Sequence, residues 1–169
     1  LFYCGNEANV ELYVNATGLM WERAAELGAL LVWAEHRYYG QSLPFAPGAK
    51  DCMQFLTTEQ AMADFAEVIY ALRDEWDAWD SKVIGFGGSY GGMLTGWFRM
   101  KYPDVIDGAI AASAPIWQLA DTVRRASLDM QAVAITRGVS AAGGATDQCR
   151  DNLRAAWPLL QQIGRTPSG

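Results

Sequence analysis

Two patterns of apolar positions alternate along the chain. Leu1–Cys4, Ala29–Ala34, Lys82–Phe86 and Ile106–Ala112 are short runs dominated by apolar residues. Runs of this kind suit strands covered on both sides. Between them the spacing changes. Met62, Phe65, Ile69, Leu72 and Trp76 recur at alternating intervals of three and four, which places one apolar stripe on a helix. Thr57, three residues ahead of Gln60, fits a capping box that starts this helix. Glu11–Leu27 reads as helical with a break near Gly18, and Gly28 supplies a stop. Gly87–Gly92 is a glycine-dense turn, and Met93–Tyr102 reads as a helix ended by Pro103.

Strands separated by helices predict an α/β fold with a parallel sheet and helices on both faces. Beyond Pro115 the strands stop. Ala120–Val139 and Thr146–Ile163 have helical patterns, Pro158 is expected to bend or end the second, and Ser140–Ala145 reads as a linker. A boundary near Ile116 therefore divides the chain into 1–116, a partial α/β core, and 117–169, the start of a helical insertion. No internal repeat is present.

Composition narrows the function classes. With 169 residues, 13 Lys+Arg against 19 Asp+Glu and a net charge of −6, the chain lacks the basic balance of a nucleic-acid binder. Hydrophobic residues at 51% and charged residues at 19% support a sizeable core. No apolar stretch approaches the roughly 18 residues that a membrane span requires. Cys4, Cys52 and Cys149 form no CxxC pair, so neither a zinc nor a redox site is expected. Asn15-Ala16-Thr17 fits the N-glycosylation pattern, a triplet that also arises by chance. The chain opens on an apolar run at Leu1 and closes at Gly169 without a terminating element, so it is expected to be a segment of a longer one.

Gly87-Gly88-Ser89-Tyr90-Gly91 matches G-x-S-x-G between an expected strand and an expected helix, the context of a nucleophile elbow. A turn this tight needs Gly at 87 and 91 and leaves the Ser89 hydroxyl above the sheet. The Tyr90 N–H, at the helix start, is placed to meet an oxyanion. Asn6, in the turn after the first strand, is the candidate for the second oxyanion N–H. Glu7 is expected to cap the following helix, with binding of a substrate amine as the alternative. His36 is the only histidine, and it precedes Ser89. This fold places Ser, then Asp or Glu, then His in chain order. His36 is thus not expected to be the base. Arg37 is expected to brace its loop, and the acid and base are expected beyond Gly169.

Six blocks occur in one order: Tyr3-Cys4-Gly5-Asn6-Glu7, Glu35-His36-Arg37-Tyr38-Tyr39-Gly40-Gln41-Ser42-Leu43-Pro44, Leu56-Thr57-Thr58-Glu59-Gln60-Ala61, Gly87-Gly88-Ser89-Tyr90-Gly91-Gly92-Met93-Leu94, Arg99-Met100-Lys101-Tyr102-Pro103 and Ala112-Ser113-Ala114-Pro115-Ile116. Together they resemble the serine peptidases that include lysosomal Pro-Xaa carboxypeptidase and dipeptidyl peptidase II. The resemblance runs from Leu1 to about Trp157. It implies an α/β-hydrolase core with a helical cap inserted after the strand that follows the elbow. It also implies hydrolysis of peptides next to proline from one chain end, in a lysosome or vacuole or outside the cell. A glycosylated, disulfide-containing protein is implied as well, which strengthens Asn15. The family serine falls on Ser89, while its Asp and His have no matching position.

The expected chemistry is acyl transfer through Ser89, without metal or cofactor. Met93, one helical turn after Ser89, is the candidate to line a prolyl pocket, with core packing as the alternative. The resemblance leaves carboxypeptidase and dipeptidyl peptidase activity both open, with the Ser89 block and Pro115-Ile116-Trp117-Gln118 closer to the former. An esterase or lipase on the same core, and a non-catalytic truncated relative, are the rival readings. A homodimer is the assembly considered. The segment alone is expected to be inert and prone to aggregate.

Overall fold

The computed structural model describes residues 1–46, 48–50, 52–118 and 124–165. The chain divides into two compact units, Leu1–Pro115 and Ile116–Gly169. In the first unit, β1 (Phe2–Cys4), β2 (Val32–Ala34), β3 (Ile84–Gly88) and β4 (Gly108–Ala112) form one parallel sheet in the order β2-β1-β3-β4.

Helices α1 (Val10–Ala16) and α2 (Gly18–Leu27) connect β1 to β2. Asn9 caps α1, its side chain accepting from the Glu11 N–H at 2.9 Å. Glu7, expected in that role, is exposed and does not cap the helix. The chain must turn at Asn9 for the helix to begin, so the residue at the turn does the capping. Gly28 ends α2 at φ 56°, with the Ala29 N–H donating to the Ala24 carbonyl and the Gly28 N–H to that of Ala25. This is the left-handed stop that the sequence predicts.

Helix α3 (Thr58–Glu75) connects β2 to β3 and α4 (Tyr90–Lys101) connects β3 to β4. Thr57 caps α3 by accepting from the Gln60 N–H, but the Gln60 side chain accepts from Arg37 instead of closing a reciprocal box. Met62, Phe65 and Ile69 are buried as expected, and Ala61 and Ala66 join them. Trp76 lies past the last turn and is exposed. On one face of the sheet, Phe2 and Cys4 pack with Phe65, Ile69, Leu94, Phe98, Val105 and Ile106 in the main core. Tyr3 and Trp33, paired across β1 and β2, occupy the other face, where they stack on Tyr13 of α1 and Trp21 of α2.

Strand limits differ from expectation at both ends of the elbow. β3 runs on through Gly87 and Gly88, which stay in register with Ala111 and Ala112. Glycine weakens a strand without removing its ladder bonds, so a glycine-dense stretch reads as a turn when it is still sheet. β2 is shorter than Ala29–Ala34, and α4 begins at Tyr90 rather than Met93. β4 lies at the sheet edge, with Ile110 exposed.

In the second unit, α5 (Arg124–Gly138) and α6 (Asp147–Ile163) are joined through a single 3-10 turn at Ala141–Gly143. The expected start of the first helix at Ala120 falls outside the described residues. Thr146 caps α6, and the helix continues through Pro158 to Ile163 instead of ending there. Leu153, Trp157 and Leu160 form an exposed apolar stripe along it.

Candidate active site

The connections out of β1 and β3 leave the sheet in opposite directions, β1 toward β2 and β3 toward β4. Their carboxyl ends thus define the topological switch point, where open parallel sheets bind ligands. Ser89 follows β3 at this point, and Gly5 and Asn6 follow β1.

Ser89 is a lone residue between β3 and α4, at φ 56° and ψ −123°. A non-glycine residue at positive φ is strained and persists only where its surroundings impose it. Here they do. The Ser89 N–H donates to the Ala112 carbonyl at 3.0 Å, and its own carbonyl accepts from the Met93 N–H at 3.1 Å. Three glycines make the turn sterically feasible. A Cβ on Gly87 would run into the Gly91 carbonyl, one on Gly91 would lie 2.7 Å from the Cys4 carbonyl, and one on Gly92 would lie 2.5 Å from the Ala112 carbonyl. The sequence pattern identifies the first two, whereas Gly92 falls outside the motif and its role comes from the approach of β4. The outcome is an exposed serine side chain with no hydrogen-bond partner among the described residues.

Tyr90 begins α4, so its N–H has no partner within the helix. The Asn6 N–H likewise meets no protein acceptor among the described residues. The Asn6 side chain is buried with its Oδ1 unpaired and packs against the space above Gly91, which joins the end of β1 to the first turn of α4. Met93 is also buried, one turn beyond Ser89. Glu7 is exposed at the end of the β1 turn.

The loop that follows β2 carries a polar network, of which the sequence indicates only the bracing by Arg37. The Glu35 carboxylate accepts from the Val10 N–H at 2.9 Å, the Gln41 and Ser42 N–H groups at 2.8 and 3.0 Å, and the Ser42 hydroxyl at 2.9 Å. Burial pushes its pKa up, but these bonds outweigh it and hold the acid below its usual range. Arg37 spans the next layer. Its Nε and Nη2 each donate to Asp64 at 2.6 Å, and Nη1 donates to Gln60 Oε1 at 2.9 Å and the Phe55 carbonyl at 3.1 Å. The expected bracing of the loop is thus met from α3.

His36 is wholly buried, with Nδ1 2.6 Å from the Arg37 carbonyl and Nε2 3.0 Å from the Tyr90 hydroxyl. A carbonyl only accepts, so Nδ1 carries the proton and Nε2 accepts from the Tyr90 O–H. Burial is the chief cause that lowers the His36 pKa and the chief cause that pushes the Tyr90 phenol up to about 12. Because Nε2 is occupied inside the protein, His36 offers no base to Ser89. No cluster of metal-ligating side chains occurs among the described residues. Cys4, Cys52 and Cys149 are unpaired thiols, so the disulfide that the resemblance implies is not formed among the described residues.

A strained, exposed serine at a strand-to-helix turn, set at the switch point of a parallel sheet and flanked by unpartnered N–H groups, fits a partial α/β-hydrolase core. Comparison with known proteins narrows the class. The family described as serine carboxypeptidase S28 matches residues 1–169, and the chain belongs to it. It is 49% identical to lysosomal Pro-X carboxypeptidase of Pongo abelii and 48% identical to that of Homo sapiens, in each case over the whole of this chain and 34% of the relative. It is also 38% identical to a thymus-specific serine protease of Mus musculus, over 56% of this chain and 19% of the relative. The chain spans about one third of the length of the Pro-X carboxypeptidases. No helix among the described residues is long and apolar enough to cross a membrane.

Proposed function

We propose that the complete protein is a serine exopeptidase of the Pro-X carboxypeptidase type, cleaving peptide bonds next to proline through an acyl-enzyme on Ser89. The observation that carries this reading is Ser89 itself, exposed at φ 56° on the strand-to-helix turn. The Ser89 hydroxyl attacks the carbonyl of the proline residue, and a histidine from the remainder of the protein takes its proton. The Tyr90 N–H and a donor at Asn6 receive the oxyanion. The C–N bond breaks, the histidine returns the proton to the leaving amine, and water then releases the acyl group. Identity near 48% over the whole chain to proteins named Pro-X carboxypeptidase favours this over dipeptidyl peptidase activity.

The relatives' lysosomal names support an acidic compartment reached through the secretory pathway. In that setting Asn15, exposed near the end of α1, is an acceptor for an N-glycan. The second unit is read as the start of a helical cap.

The reading is tested on the complete protein with a fluorophosphonate probe and a peptide that ends in Pro-Phe. Ser89→Ala should abolish both labelling and release of phenylalanine while leaving the far-ultraviolet circular dichroism unchanged. Labelling that survives the substitution overturns the nucleophile. Labelling without prolyl cleavage overturns the substrate class.

A further inference from the structure

We propose that His36 is a positioning residue for the elbow, holding Tyr90 by its hydroxyl and so fixing the peptide that follows the nucleophile. The inference rests on the proposed acyl-transfer function of Ser89. It starts from a buried imidazole that the catalytic steps do not use.

Packing alone does not require a histidine at this place. The ring contacts Tyr39, Phe65 and Tyr90 with centroids 5.2, 6.4 and 5.5 Å away, surroundings that an apolar side chain would suit. A buried polar ring is tolerated because both nitrogens are satisfied. Those two bonds point in functional directions. Nδ1 is held by the Arg37 carbonyl, and the Arg37 side chain is clamped to Asp64 and Gln60 on α3. Nε2 accepts a hydrogen bond from the Tyr90 hydroxyl at 3.0 Å, across 54 residues of sequence.

The relay therefore runs from α3 through Arg37 and His36 to Tyr90, the first residue of α4. The N–H of Tyr90 is one of the two unpartnered donors beside Ser89. Tyr90 has no side-chain cap above it, since Ser89 makes no capping bond. Its position is thus set at one end by the strained peptide and at the other by the bond to His36. Loss of that bond frees the ring and relaxes the direction of the N–H toward a developing oxyanion. A donor aimed at the transition state acts on kcat, while ground-state binding is little changed.

The test compares His36→Leu, His36→Gln, Tyr90→Phe and the His36→Leu/Tyr90→Phe pair in the complete protein. Tyr90→Phe removes one oxygen without changing the ring, so it reports on the bond even if His36→Leu fails to fold. Tyr90→Phe and His36→Leu should each lower kcat by about tenfold, with KM held within about twofold. The double variant should be no worse than either single one, because both remove the same bond. His36→Gln, which keeps an acceptor close to the place of Nε2, should recover most of the loss. A kcat unchanged in Tyr90→Phe overturns the proposal. So do losses that multiply in the double variant, or a glutamine no better than leucine. Fluorophosphonate labelling of Ser89 in the parent protein is the separate control. Its absence means that the nucleophile reading, rather than the tether, has failed.

Discussion

Arg37 and Asp64 meet in parallel, two guanidinium nitrogens donating to the two carboxylate oxygens at 2.6 Å each. This is the fork geometry in which an ion pair is strongest. The Asp64 side chain is 42% exposed, which limits the effect. Asp64→Ala should therefore cost about 1 kcal/mol of stability, measured by urea unfolding of the complete protein. A loss of several kcal/mol would mean that the pair is more deeply sequestered than its exposure indicates.

Gly91 tolerates no side chain. A methyl group there would lie 2.7 Å from the Cys4 carbonyl and 3.0 Å from Asn6 Oδ1, and neither backbone nor buried amide can yield cheaply. Gly91→Ala should destabilise by about 1–3 kcal/mol, as overpacking does. Activity should fall further than stability, because the displaced turn carries Ser89. A variant with full activity in a peptidase assay would show that α4 can move away from β1.

Met93 separates two roles by its kinetics. If it lines a prolyl pocket, Met93→Ala raises KM for a prolyl peptide several-fold more than for a small ester. Equal effects on the two substrates assign it to packing, in keeping with its burial.

His36 gives the pH dependence a sign. Its ordinary pKa of 6.5 is lowered in the folded protein, first by burial and then by the Arg37 charge; the hydrogen bond to the Arg37 carbonyl and the carboxylates of Asp64 and Glu7 oppose this. The unfolded chain therefore takes up its proton first as the pH falls. Stability from neutral His36 is complete above about 6.5 and is lost as the pH drops through the lowered folded value. Urea midpoints of the parent and His36→Gln should converge as the pH falls below about 6.5. Parallel lines across that window would exclude His36 as the source.

What the sequence makes legible follows from the range of the forces involved. Ser89 is readable because a motif of five residues and its flanking strand and helix are local. The α3 stripe and the Gly28 stop are readable for the same reason. The bonds of Glu35 to Val10, of Arg37 to Asp64 and of His36 to Tyr90 join residues 25, 27 and 54 positions apart, and no spacing rule announces them. The limits of β3 are misread because Gly87 and Gly88 look like a turn while their backbone stays in the ladder. Glu7 looks like a cap by position, but Asn9 takes the bond.

The Glu35 carboxylate sets where the chain can change in length. One oxygen receives the start of α1, while the other gathers Gln41 and Ser42, and Gly40 leaves room for the group at φ 56°. Residues 36–41 therefore form a closed ring of fixed circumference around a charged pin. One added or removed residue would unseat α1 and shift His36 from beneath Tyr90 together. Variants that gain or lose residues should therefore be absent from 36–41, whereas substitution of the exposed Gln41 side chain passes freely.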